Sequence, residues 1–372
     1  MEKGKVLSIV WYNVLPAKYG GQHAIASFNQ ALGKQLELVC LCSSDNQPDT
    51  NLSYKLLPLL KPGKRSLFSR DTFSTIRQTI IQEQPNCIIV EHPYLALAVQ
   101  QLASLSDAKV IVRSHNLEYE RFKTIGKWWW PFLYLFEKRA HQKADVSVFI
   151  TEQDKQKAIF TFGLDPQKCV YFPPIIERIH LGNKQSAQSV IKAKHGIPEN
   201  HQLLLFAGTL DYLPNAEAVT FIYEQLVPLL AIHHKPYHII ICGRNHYPNF
   251  QYLNNFYHPN VTNAGEQLSM EEYYAAADVF INPVQKGGGI QIKNLTALQH
   301  HLNIVVYEKI LDASVYDVAT NKCFVVKEFN PEVFLAQIED ALKNKKPTPE
   351  TFFTTFGIAT NFTNELLPLM HE

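Results

Sequence analysis

The sequence predicts an α/β fold of two domains, each built on a doubly wound parallel sheet, and three observations carry that prediction. Short apolar runs recur along the chain and end in glycine, proline or polar residues, as buried parallel strands do, with helical patterns between them. The alternation of strand, turn and helix begins at the N-terminus and begins again after a polar stretch at 177–201. At 372 residues there is room for two domains of ordinary size, each with its own core.

Composition removes several classes of function. Lys+Arg number 35 against Asp+Glu 34, a formal charge of +1, so no global field draws in nucleic acid. No stretch approaches the ~20 apolar residues of a spanning helix, and the N-terminal MEKGKVLSIVWYN lacks the apolar core of a signal peptide. The cysteines, at 40, 42, 87, 169, 242 and 323, lie mostly in strand-like runs, which predicts reduced core thiols in a cytoplasmic protein. Histidines number 15, but neither HExxH nor CxxC occurs, and no metal site is expected.

Taken in order, Lys5 to Trp11 reads as a first buried strand, and Gly20 and Gly21 precede a helical pattern through Ile25, Phe28 and Leu32. Leu36 to Leu41 is the next strand. Residues 61–70 form a basic loop. Ile88 to Val90 ends in Glu91-His92-Pro93, and Lys109 to Val112 ends in Arg113-Ser114-His115-Asn116. His115 thus falls at the carboxyl end of a strand, where catalytic groups of such sheets are found. Residues 121–140, RFKTIGKWWWPFLYLFEKRA, combine aromatics with flanking Lys and Arg. That composition suits either a domain core or the interface of a membrane. Asp145 to Ile150 is a strand, and Thr151 caps the helix after it. Val170 to Phe172 runs into Pro173-Pro174, where the domain boundary is expected: 1–173 and 174–354, with a C-terminal helix of about 355–372 returning to the first domain.

The second half repeats the pattern. Strand 202–207 ends in Gly208 and Thr209, with a helix after Pro214; strand 238–242 ends in Gly243 and Arg244. A short strand near Val261 leads to Gly265, Glu266 and Gln267, and Ser269 to Glu272 reads as a capping box. Val279 to Ile281 runs through Gly287, Gly288 and Gly289 into a helix with Ile292, Leu295 and Leu298 on one face, and Leu302 to Val306 is the next strand. Glycines allow positive φ and close approach, so N–H groups of this turn can converge on one anion, beside Lys286 and Lys293. Turn geometry alone is the competing reason for a single glycine. Several strand ends with glycine on one rim favour a phosphate ligand.

These elements resemble the retaining glycosyltransferases of the GT-B fold, group 4, over nearly the whole chain. The marks are YGGQHA, RSHNLEYERF, FEKRAHQKADVSVFITEQDKQ, AGTLDYLPNAEAV and GEQLSMEEYYAAADVFINPVQKGGGIQIKNLTAL. The resemblance implies two Rossmann-like domains facing across a cleft, with a UDP- or GDP-linked sugar as the donor and a glycan or lipid-linked acceptor. It implies no metal and no other cofactor. By the same resemblance Gly20, Gly21, Gly208, Thr209 and Gly287 to Gly289 lie around the diphosphate, and Gly243, Arg244, Gly265, Glu266 and Gln267 approach the nucleotide. His115 would lie near the transferred sugar, and Lys293, with Arg244 in support, would stabilise the leaving diphosphate. The family's two glutamates, eight positions apart, correspond to Gly288 and Thr296 here. Gln291 stands where a subgroup has a basic residue, and the family's Arg and Lys after the first C-terminal strand are absent from GTLDYLPNAEA. The expectation is sugar transfer in cell-surface polysaccharide or glycolipid synthesis, in the cytoplasm or at the inner membrane face, with peripheral membrane contact through 121–140. The alternatives are, from another class, an inactive relative acting as a binding or scaffold subunit and, third, a sugar-nucleotide epimerase on a similar two-domain fold.

Overall fold

The computed structural model describes residues 4–17, 19–48, 51–233, 235–287, 289–357 and 368. Gly288 and nearly all of the expected returning helix, about 355–372, lie outside the described residues. Contacts divide the chain into two compact units, Met1–Ile175 with Phe356–Glu372, and Ile176–Thr355.

The first unit holds β1 (Lys5–Val10), β2 (Glu37–Ser43), β3 (Lys55–Leu60), β4 (Cys87–Glu91), β5 (Lys109–Ser114), β6 (Val146–Phe149) and β7 (Cys169–Tyr171). All pairs are parallel, in the order β3-β2-β1-β4-β5-β6-β7. The strands read as continuous apolar runs because both faces are covered. Val6, Leu38, Ile89 and Ile111 pack with Ile25, Phe28 and Leu32 of the helix Gly20–Gly33. Leu7, Val39, Ile88 and Val110 pack with Ile76 and Ile80 of the helix Arg70–Glu83 on the other face. Each such side chain contributes roughly 1.5–3 kcal/mol by leaving water.

The second unit holds β8 (Gln202–Ala207), β9 (Tyr237–Cys242), β10 (Val261–Gly265), β11 (Val279–Asn282), β12 (Asn303–Tyr307) and β13 (Cys323–Val326), all parallel, in the order β10-β9-β8-β11-β12-β13. The strand order reverses between β1 and β4 in one unit and between β8 and β11 in the other. Ligands of doubly wound sheets bind outside the carboxyl ends at that reversal. β8 and β11 pair only at Leu204 with Val279 and Leu205 with Phe280, although each strand runs two residues further, so they part at their carboxyl ends.

Several sequence expectations are corrected here. β3 and β13 were not foreseen. Both are edge strands, and Pro58 in β3 is tolerated because an edge leaves some N–H positions unpaired. Gly20 and Gly21 form the first turn of their helix and not a loop before it. Residues 61–70 include a short 3-10 turn, Lys64–Phe68, and the start of a helix. The Ser269 capping box is absent: the helix Glu271–Ala276 is entered through Met270 in a helical conformation, with no side-chain cap. Thr151 does cap its helix, accepting the Asp154 N–H at 3.0 Å.

Gly243 shows how tightly the rim is packed. A Cβ there would lie 1.8 Å from the Gly208 carbonyl oxygen. Gly243→Ala should therefore destabilise the second unit by about 3 kcal/mol or more, read as a fall in the denaturation midpoint. At Gly21 a Cβ would meet only the Tyr12 hydroxyl, at 3.7 Å, so Gly21→Ala should leave the midpoint near that of the natural sequence.

Candidate functional site

Outside the ends of β8 and β11, one residue that the sequence reading passed over ties the rim together. Asn215, in the first turn of the helix Leu213–Phe221, donates from Nδ2 to the Thr209 carbonyl (2.8 Å) and accepts from Lys293 Nζ at 3.0 Å. It also explains Gly208, where a Cβ would come within 2.9 Å of its amide. Asn282, at the end of β11, donates to Gln291 Oε1 (2.7 Å) and Asn294 Oδ1 (2.9 Å), so the glycine turn is strapped at its far end. Gly287 and Gly289 hold φ of +147° and +71°, conformations that other residues rarely adopt. The helix Ile292–Gln299 then begins, presenting its N-terminal end to the rim.

Lys293 is the unusual group of this rim. Its ammonium lies 4.5 Å from the centre of the Phe206 ring and has the neutral Asn215 as its hydrogen-bond partner. Burial lowers its pKa to about 7, because little in this pocket repays the lost hydration of a cation. Lys286, by contrast, is exposed and paired with Glu217 at 2.8 Å.

The remaining residues expected at the rim are engaged in holding its loops. Arg244 Nε lies 3.1 Å from Asp211, whose other oxygen accepts the N–H groups of His246 and Tyr247 at 2.7 Å each. Gln267 accepts from Tyr273 Oη (2.8 Å) and Lys194 Nζ (3.1 Å) and donates to the Ala264 carbonyl. Glu266 lies 3.7 Å from His246, and Gly265 closes β10 with φ +69°. Thr296 donates its hydroxyl proton to the Ile292 carbonyl at 3.0 Å, within its own helix.

In the first unit His115 belongs to a buried polar cluster. Its Nε2 lies 2.6 Å from Glu91 Oε2, and Arg113 Nη1 reaches both Glu91 oxygens at 3.0 Å. Burial alone would raise the Glu91 pKa, but Arg113 and His115 outweigh it and hold the carboxyl down to about 2. Burial, reinforced by Arg113 and His92, lowers His115 to about 4. At neutral pH an ionised carboxylate therefore faces a neutral imidazole, and the ring's single N–H must sit on Nε2 to satisfy it. His115 Nδ1 is left with a lone pair, and no hydrogen-bond partner occupies it among the described residues.

His92, just past β4, holds φ +66°, a strained conformation for a residue with a Cβ. Its ring stacks on His115 at 4.6 Å, and its Nε2 lies 3.0 Å from the Tyr12 hydroxyl, just past β1. Glu118 accepts from Tyr94 Oη (2.6 Å) and Arg121. These groups gather at the β1/β4 reversal, beside the first turn that holds Gly20 and Gly21. The sequence reading singled out only His115. A signal for its partners was present, since Glu91 and Arg113 each end an apolar strand run, where an unpaired charge would be costly.

Two doubly wound units, each with a polar site at its strand-order reversal, define the GT-B class of glycosyltransferase architecture. The comparisons agree. Residues 21–178 match the family model described as Glycosyltransferase Family 4, and residues 201–344 match the one described as Glycosyl transferases group 1. The first match lies almost wholly in the first unit and the second wholly in the second. No curated protein is similar enough to match. Among solved structures, WaaG, a glycosyltransferase involved in lipopolysaccharide biosynthesis, is 14% identical with TM-score 0.65, covering 98% of this chain and 97% of that one. Sucrose-phosphate synthase from Thermosynechococcus elongatus is 12% identical with TM-score 0.69, covering 95% of each chain. Anabaena HepE, in complex with UDP and glucose, is 11% identical with TM-score 0.67, covering 99% and 97%. At these identities the likeness shows the fold.

Proposed function

We propose that the protein is a retaining, metal-independent glycosyltransferase. It would move a sugar from a UDP- or GDP-linked donor to a glycan or lipid-linked acceptor in cell-surface polysaccharide or glycolipid synthesis. The observation that carries this reading is Lys293, its ammonium desolvated at the β8/β11 reversal beside glycine turns and a helix N-terminus. A cation with pKa about 7 and only a neutral partner gains most from an anion placed against it. A diphosphate is such an anion, and HepE, with the same fold, is solved with UDP and with UDP-glucose. Lys293, the turn's N–H groups and the helix N-terminus then stabilise the charge that develops on the leaving diphosphate. His115, by the resemblance, attends the transferred sugar. Its neutral ring offers Nδ1 as an acceptor for a sugar hydroxyl, with Glu91 fixing the tautomer.

A second reading, an inactive binding relative, draws on Thr296, whose hydroxyl proton goes to Ile292, and on Arg244, which is held by Asp211. A thermal-denaturation panel with UDP, GDP and their sugars separates the two. A nucleotide present at 100 times its Kd should add about 2.7 kcal/mol of stability. No shift with any nucleotide would overturn the sugar-transfer reading. A shift with UDP or GDP, followed by loss of the sugar from the bound donor, would support it.

A further inference from the structure

Asn215 stands where three parts of the second unit's rim meet. Pro214 opens its helix, and its own N–H bonds the Tyr212 carbonyl at 3.0 Å, so its backbone is held. The amide then packs against Gly208: a Cβ on that glycine would sit 2.9 Å from Nδ2 and 3.0 Å from Cγ and Oδ1. Its two ends meet opposite needs. Nδ2 donates to the Thr209 carbonyl at 2.8 Å, and Oδ1 accepts from Lys293 Nζ at 3.0 Å. Turning the amide over would set an NH2 group against an ammonium and an oxygen against a carbonyl, so both contacts demand the same orientation. Aspartate would suit Lys293 but would meet the Thr209 carbonyl with a second acceptor. The position calls for a neutral group with a donor at one end and an acceptor at the other.

That neutrality sets Lys293 apart. The carboxylates on the surrounding elements are engaged with other cations. Glu217, two residues further along the same helix, holds Lys286 at 2.8 Å, and Asp211, after β8, holds Arg244 at 3.1 Å. The other neighbour of the Lys293 ammonium is the Phe206 ring, 4.5 Å to its centre. The cation is therefore placed without being compensated. A carboxylate in place of Asn215 would compensate it, and an apolar side chain would leave it with no partner to aim it.

We propose that Asn215 is the positioning residue of this rim: it aims the Lys293 ammonium and the Thr209 backbone at a diphosphate and leaves the charge of Lys293 for that ligand. An ammonium has three donors and Asn215 takes one, so the anion adds to this contact and does not displace it. That the ligand is a nucleoside diphosphate rests on the sugar-transfer reading; the placement of Lys293 does not.

The experiment compares the natural sequence with Asn215→Asp and Asn215→Leu, both close in size to asparagine, with the denaturation midpoint as the control for folding. The first measurement is the titration of Lys293 without ligand, followed as its rate of acetylation by acetic anhydride from pH 5 to 10 and read by mass spectrometry. The break in that rate should rise by about one pH unit or more in Asn215→Asp, where a carboxylate favours the ammonium, and fall in Asn215→Leu, where no partner remains. A role in packing alone would shift neither break, or both the same way, and either result overturns the proposal. The second measurement is calorimetric binding of UDP and of inorganic pyrophosphate at pH 6. Both should bind the natural sequence, and each variant should weaken them about tenfold or more. Undiminished affinity in folded Asn215→Asp would mean that a compensated cation serves equally well, and binding of neither anion to the natural sequence would leave Lys293 no ligand to await; each overturns the proposal. Pyrophosphate bound and weakened as expected, with no binding of UDP, would support the role of Asn215 and overturn the nucleotide reading instead.

Discussion

His115→Gln is expected to lower turnover about 100- to 1,000-fold while leaving the first unit folded. The reasoning starts from the two nitrogens of the ring. Nε2 is committed to Glu91 at 2.6 Å, and a glutamine amide can reach the same position and keep that hydrogen bond. Nδ1 has no counterpart in glutamine, so the variant removes only the free acceptor. Stability should fall little, because Glu91 keeps its partners and no charge is left unpaired. Steady-state kinetics and the denaturation midpoint, measured together, check this. Glu91→Ala is the contrasting variant. It strands Arg113, which is fully buried, and breaking one partner of such a pair costs about 3–5 kcal/mol. A His115→Gln protein with unchanged turnover would make the cluster a structural brace alone.

Lys293→Met should weaken nucleoside-diphosphate binding about 10- to 100-fold, the worth of one charge-assisted hydrogen bond. The same change should leave the second unit as stable or more stable, since it removes a poorly hydrated ammonium and keeps the contact with Phe206. The pH dependence carries the sign. In the free protein Lys293 is protonated below about 7 and loses its charge above that value. An anion bound beside it favours the charged form and raises its pKa. Affinity should therefore be greatest below pH 7 and fall by up to about tenfold per pH unit above it, until the bound-state pKa is passed. The methionine variant should lack that component. Calorimetric titrations with UDP and GDP across this range test both parts. A flat profile in the natural sequence would place the diphosphate elsewhere.

Much of the fold follows from local features of the sequence. Apolar runs such as those of β1, β5 and β8, closed by a turn and followed by a helical pattern, specify a parallel sheet covered on both faces. Glycines after β8 and β9 and at the end of β10 mark where the backbone is crowded or must take positive φ, so the rim of the second unit was legible. The two edge strands were not, because β3 carries a proline and is only partly buried, and β13 is short. Trp128, which is exposed, differs from Trp129 and Trp130, which pack against the core, only by where each falls relative to a helix whose buried face the run of aromatics does not reveal. Tertiary structure alone decided the pairings. Asn215 meets Lys293 across 78 positions, and His115 meets Glu91 across 24. Periodicity and turn chemistry depend on neighbours in the chain and can be read there. The tautomer of His115 and the lowered pKa of Lys293 depend on which groups surround them and on how much water is excluded, and only the folded chain sets those.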